Sequence, residues 1–143
     1  MNQKINFKNV LFLDIETVPE SETFEKLSPE KQELFALKTQ YQRKDETTAE
    51  EFYDSAGIWA EFGKIICISV GFFSQFDTER LFRVKSFYGD NEESLLVEFK
   101  ELVDKHFNGL NHLLCAHNGK ELTTYICMFL IIFITCLKFK FIW

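Results

Sequence analysis

The stretch Ile5 to Val18, "INFKNVLFLDIETV", decides the reading of this chain. It opens with alternating apolar residues and becomes a continuous apolar run from Val10 to Leu13, the pattern of a strand buried on both faces. Asp14 and Glu16 follow at once, and Pro19 ends the pairing. Two carboxylates at i and i+2 on a strand point to one face, within reach of one divalent cation. They also stand toward the carboxyl end of the strand, where open α/β sheets place their sites. Taken alone, the pair is equally what a strand leaves where its first solvent-facing residues are acidic.

Beyond that strand the pattern changes. From Ser21 to about Tyr53 the chain is rich in Glu, Lys, Gln and Leu, with Phe24, Leu27, Leu34, Leu37 and Tyr41 near helical spacing. Mobile, solvent-facing helical excursions are expected there. "KIICISVGFF", Lys64 to Phe73, and "RLFRVKSFYG", Arg80 to Gly89, read as two strands joined by the polar "SQFDTE". That is a hairpin. Asp90 is placed to cap the next element, with Glu93 three residues on, and Leu95, Leu96, Phe99, Leu102, Val103 and Phe107 then recur at helical spacing. Asn108 and Gly109 stop the helix. "HLLCAH", His112 to His117, reads as a further strand, parallel to the first because a helix connects it to the hairpin.

Composition bounds what these elements can do. The chain has 143 residues, 46% of them hydrophobic, which allows one domain with a real core. Its formal net charge of -6 argues against a plain DNA-binding module, so a nucleic acid partner would be held by a local basic patch or by metal ions. Cys67, Cys115, Cys127 and Cys136 form no CxxC pair, and three of them sit in strongly apolar runs. Neither a zinc site nor a disulfide framework is expected, and a reducing cytoplasm suits the thiols. "MNQKINFKNV" offers no apolar segment of the signal-peptide kind.

"FLDIETVP", Phe12 to Pro19, resembles the first motif of the DEDD superfamily of 3′–5′ exonucleases. "AEFGKIICISVGFF" and "LCAHNGKE" resemble the predicted exonucleases related to the proofreading domain of family B DNA polymerases. The resemblance covers roughly Asn9 to Glu121 and is least over Glu22 to about Tyr53. It implies an α/β, RNase H-like mixed sheet with flanking helices, and two-metal hydrolysis from the 3′ end of a nucleic acid, DNA ahead of RNA. By that analogy Asp14 bridges both metals, while Glu16 binds one and orients the attacking water. Mg²⁺ or Mn²⁺ is the implied cofactor, since hard oxygen ligands select them over zinc. Asn118 matches the asparagine of the second motif and would bond substrate or loop backbone. His117 is a weaker candidate for a phosphate contact, as are Lys64 and Lys120 for the nucleic acid backbone. "EFGKI", Glu61 to Ile65, is expected to fix the start of the hairpin without a catalytic role. The implied partner is a nucleic acid with a free 3′ end, with no small-molecule cofactor and no membrane.

The resemblance then breaks. After "HNGKE" the family has Phe and Asp, the third metal ligand, whereas positions 122 and 123 here are Leu and Thr. Threonine cannot supply the missing charge. No Asp or Glu follows Glu121, so the last motif is also missing, and the run from Tyr125 to Leu137 carries no charge. The loss of one T would turn GAA-TTT-GAC into GAA-TTG-AC, changing Glu-Phe-Asp into Glu-Leu-Thr. Residues 1–121 are accordingly read as a partial exonuclease domain and residues 122–143 as an out-of-frame tail. A buried helix following the second motif, and a membrane anchor short of the ~20 residues a span needs, stay open for the same tail. As a 143-residue chain the protein is expected to be inactive or nearly so. A non-catalytic remnant that binds nucleic acid or a partner protein is the alternative.

Overall fold

The computed structural model describes residues 5–44, 46–76, 79–116 and 140–142. Eight principal elements follow in order: β1 (Val10–Pro19), α1 (Pro29–Thr39), α2 (Ala49–Phe52), β2 (Gly63–Phe76), β3 (Glu79–Tyr88), α3 (Glu92–His106), β4 (Leu113–Ala116) and β5 (Lys140–Ile142). Short 3-10 turns lie at Phe7–Asn9, Phe24–Lys26 and Tyr53–Ile58. The class is α/β. The chain divides into two compact units, one of residues 1–16 with 65–143 and the other of residues 17–64.

The first unit is built on a mixed sheet of order β3-β2-β1-β4-β5. β2 and β3 form the expected antiparallel hairpin, but it runs further than the polar link suggested, since Ser74 pairs with Leu81 and Phe76 with Glu79. β1 and β4 are parallel, with Val10 opposite Leu113 and Leu13 opposite Ala116. Helix α3 connects the hairpin to β4 as a parallel crossover requires. Its cap differs from the sequence expectation. Asn91, not Asp90, is the N-cap, its side chain accepting from the Ser94 backbone N–H at 3.0 Å. A cap must stand immediately before the first helical residue, and that residue is Glu92.

The core of this unit lies between α3 and one face of the sheet. Leu11 and Leu13 of β1, Ile68 and Val70 of β2, Phe87 of β3 and Leu114 of β4 pack with Leu95, Leu96, Phe99 and Val103 of α3. Those helical residues are among the ones the periodicity singles out. β5 pairs in parallel with β4, matching Leu113 with Lys140 and Cys115 with Ile142. The sequence reading gave the tail no strand. Main-chain pairing along the edge of β4 is the physical reason for one.

The second unit, residues 17–64, has its own buried cluster of Leu27, Phe35, Tyr53, Ala56 and Phe62. It corrects the expected helical stripe. Phe35 and Thr39, at i and i+4, form the buried side of α1, while Leu34, Leu37 and Tyr41 are 50%, 56% and 91% exposed. Phe35 is the hub, with ring centroids 5.1 to 6.0 Å from Phe24, Tyr53, Trp59 and Phe62. Thr39 is buried because its hydroxyl donates to the Phe35 carbonyl at 2.8 Å. Caps fix both helices. Ser28 accepts from Lys31 N–H before α1, and Thr48 with Glu51 forms a capping box on α2. This part of the chain is an organised unit rather than a set of solvent-facing excursions.

Among the described residues no helix is long and apolar enough to cross a membrane. The uncharged run from Tyr125 to Leu137 lies outside the described residues, as do the three readings of it.

Candidate functional site

Strand alternation places the two carboxylates. Along β1, Leu11 and Leu13 are buried toward α3 with Ile15 packed against the same core, so Phe12, Asp14 and Glu16 face the other side of the sheet. Asp14 and Glu16 are both exposed. Both belong to the sheet unit. Asp14 and Glu16 follow directly after the described pairing with β4, whose last pair is Leu13 with Ala116.

On the same face a cavity of about 510 Å³ opens between β1, β2, β3 and β4. Asp14 lines it together with Phe12, Ser69, Gly71, Phe82, Val84 and Cys115. Its aromatic side is tightly organised, with Phe12 and Phe82 ring centroids 5.9 Å apart at 69° and Phe73 5.0 Å from Phe82. Ser69 and Ser86 link their hydroxyls at 2.8 Å across the hairpin. Cys67 and Cys115 are free thiols.

Sequence reasoning missed the aromatic side of this cavity. The signal available was Gly71, a glycine within the β-branched run "CISVGFF", which marks a close approach. A Cβ at Gly71 would lie 2.4 Å from Phe82 Cζ, so only glycine admits the ring there.

Of the predicted site residues, Asp14 and Glu16 are brought to one face, while His117, Asn118 and Lys120 lie outside the described residues. Lys64 is half-buried at the start of β2, in the other unit of the chain. The segment Glu61 to Ile65 does organise that start. Glu61 pairs with Lys38 at 2.7 Å, Phe62 is fully buried, and Gly63 N–H donates to the Trp59 carbonyl at 2.7 Å. Desolvation pushes the Glu61 carboxyl up, but the Lys38 hydrogen bond, its own backbone N–H and the Lys38 charge outweigh that and leave it below the usual range. Ile65 N–H in turn donates to Glu92 Oε1 of α3 at 2.7 Å.

The donor set decides how far a metal fits. Asp14 and Glu16 offer hard oxygen ligands suited to Mg²⁺ or Mn²⁺, and magnesium is commonly held by one or two carboxylates with water and substrate phosphate completing the shell. The two residues have the donor chemistry for one such ion. Among the described residues no group of three or more His, Cys, Asp or Glu side chains gathers to hold a metal, so the four-carboxylate pair of sites is not assembled from them. A second acidic pair, Glu25 and Glu50 in the helical unit, shares a hydrogen bond. That bond and the Glu25 charge push the Glu50 carboxyl above its ordinary value, as expected of adjacent acids on a surface. Comparison of the chain with family models, with curated proteins and with solved structures finds no match.

Proposed function

We propose that the sheet unit belongs to a metal-dependent 3′–5′ exonuclease domain of RNase H-like type, acting on nucleic acid with a free 3′ end, DNA ahead of RNA. The observation that carries the reading is the placement of Asp14 and Glu16, exposed together on one face toward the carboxyl end of β1. The antiparallel hairpin, the crossover helix and the parallel strand beside β1 support the RNase H-like part of it.

A bound divalent ion supplies an activated water and neutralises phosphate charge in such chemistry. The chain's own contribution is to hold and orient that ion with Asp14 and Glu16. The sheet fixes both backbones, so the two carboxylates start from a common face. With Thr123 where the resemblance calls for the third carboxylate, the ion is held weakly and hydrolysis by this chain is near background.

The test is Mn²⁺ titration of isotopically labelled protein, followed by paramagnetic broadening, beside an assay on 5′-labelled single-stranded DNA. Broadening centred on Asp14 and Glu16 and abolished by Asp14→Asn is expected, with little cleavage. Cleavage that Asp14→Asn leaves unchanged, or broadening elsewhere only, overturns the reading. The second reading, a non-catalytic remnant that binds nucleic acid or a partner protein, is favoured by the lack of a third ligand among the described residues. Oligonucleotide binding indifferent to metal would select it.

A further inference from the structure

β3 ends the sheet on one side, and among the described residues no strand lies beyond it. Its ten pairs with β2, from Cys67 with Tyr88 to Phe76 with Glu79, follow one another without a bulge, and neither strand contains proline. The outer edge is therefore regular, with main-chain N–H and C=O groups turned away from β2. Its two faces differ. Lys85 Nζ lies 4.3 Å from the centroid of the Phe87 ring, which packs on Phe99 of α3, so Lys85 and, two residues earlier, Arg83 stand on the α3 side. Phe82 and Val84, 52% and 66% exposed, stand on the other. Both cations are exposed, and neither forms an ion pair among the described residues. In a chain of formal charge -6, β3 holds two of the three arginines, Arg80 and Arg83.

A second copy of β3 is a poor occupant for this edge. Opposed residues of an antiparallel pair share a face, so the two twofold registers that overlap β3 most fully set Arg83 against Arg83 or against Lys85. Like charges directly opposite are destabilising. We infer that β3 takes an added strand from a partner protein, an extended segment in which acidic residues alternate with apolar ones. Its main chain pairs with the outer edge, the source of affinity in complexes of this kind. Its acidic side chains lie beside Arg83 and Lys85, and its apolar ones beside Phe82 and Val84. Alternation makes the edge selective, since an all-acidic strand leaves Phe82 and Val84 uncovered and a basic one is repelled by Arg83 and Lys85. Asp14 and Glu16 take no part in it.

The probe is a fluorescein-labelled, end-capped octapeptide of alternating Glu and Val, titrated with the full chain by fluorescence anisotropy while amide hydrogen exchange along β3 is followed. Saturable binding is expected, with added protection of amides between Leu81 and Ser86, and the same peptide with Lys in place of Glu should not bind. Methylating every backbone nitrogen of the peptide keeps its charges and is expected to abolish binding. Arg83→Glu combined with Lys85→Glu should weaken the acidic peptide roughly tenfold, as attractive cross-strand pairs become repulsive, and should confer binding of the Lys peptide. That gain also shows the variant to be folded. The partner strand is overturned if the acidic peptide does not saturate, if the methylated peptide binds as well as its parent, or if the charge-reversed chain still prefers the acidic peptide. Protection of the β3 amides by a single-stranded oligonucleotide and not by the peptide would give the cations to phosphate instead. Protection that appears on self-association without peptide would give the edge to a second copy, and either result overturns it.

Discussion

The ring of Phe82 on β3 rests against the backbone of Gly71 on β2, close enough that a methyl group at position 71 would stand 2.4 Å from Cζ. The two residues are diagonal neighbours across the hairpin, where Gly71 pairs with Val84 and Phe82 with Phe73. Gly71→Ala must therefore expel the ring from its place or bend the strand. A loss of about 0.5–1.5 kcal/mol is expected, the cost of turning a half-exposed ring out of its place. Urea unfolding measures it, and a double-mutant cycle with Phe82→Ala should recover most of the loss, because the clash then has no partner.

Phe35→Ala should cost about 3–5 kcal/mol, since Phe35 is fully buried at the centre of an aromatic cluster. Leu37→Ala on the same helix should stay within about 0.5 kcal/mol, because Leu37 is 56% exposed. Thermal denaturation of the two variants side by side decides it, and equal losses would show that α1 buries a different face.

The α3 cap gives a contrast between adjacent residues. Asn91→Ala should lose about 1 kcal/mol through the acceptor for the Ser94 N–H, and Asp90→Ala much less. Chemical denaturation of both variants is the measurement, with the reverse ranking restoring the cap to Asp90.

Acid sensitivity should be partly traceable to Lys38 and Glu61. The folded Glu61 carboxyl lies below its ordinary value of 4.5, so its contribution is present above about that pH and is lost as the pH falls through the lower, folded value. Replacing Lys38 with Met removes the hydrogen bond and charge that hold the carboxyl down. The acid limb of the stability curve should then become shallower. The change is small, because both side chains are about a third exposed to screening water.

The elements legible in the sequence are those whose burial is set by one simple period. β1 carried its continuous apolar run, α3 its 3.6-residue recurrence, and the hairpin one β-branched stretch and one alternating stretch. Residues 17–64 escaped the same treatment because their core is aromatic and convergent. Phe35 draws in rings from before α1 and after it, while Leu34 and Leu37, at helical spacing, point to solvent. Asp90 and Asn91 are both residue types that cap well, and which of the two serves depends on where the first turn closes, which the spacing to Glu93 did not fix. That Asp14 and Glu16 share one face could be read from alternation alone, while their reading as ligands rests on the resemblance. Their companions in the cavity, Phe12 and Phe82, meet only through the pairing of three strands, which no local pattern records.

The bond from Ile65 N–H to Glu92 Oε1 ties the first residue of β2 in the sheet unit to the first turn of α3. Everything between them, the hairpin and its turn, is thereby closed into one loop whose contacts are local in sequence. The β1–β4 pairing instead joins segments from opposite ends of the chain and carries a larger entropic cost of closure. Order of assembly follows from that difference. The hairpin and α3 should gain structure first, offering β1 and β4 a template, so in pulsed hydrogen exchange the Ile65 amide should become protected before that of Leu114.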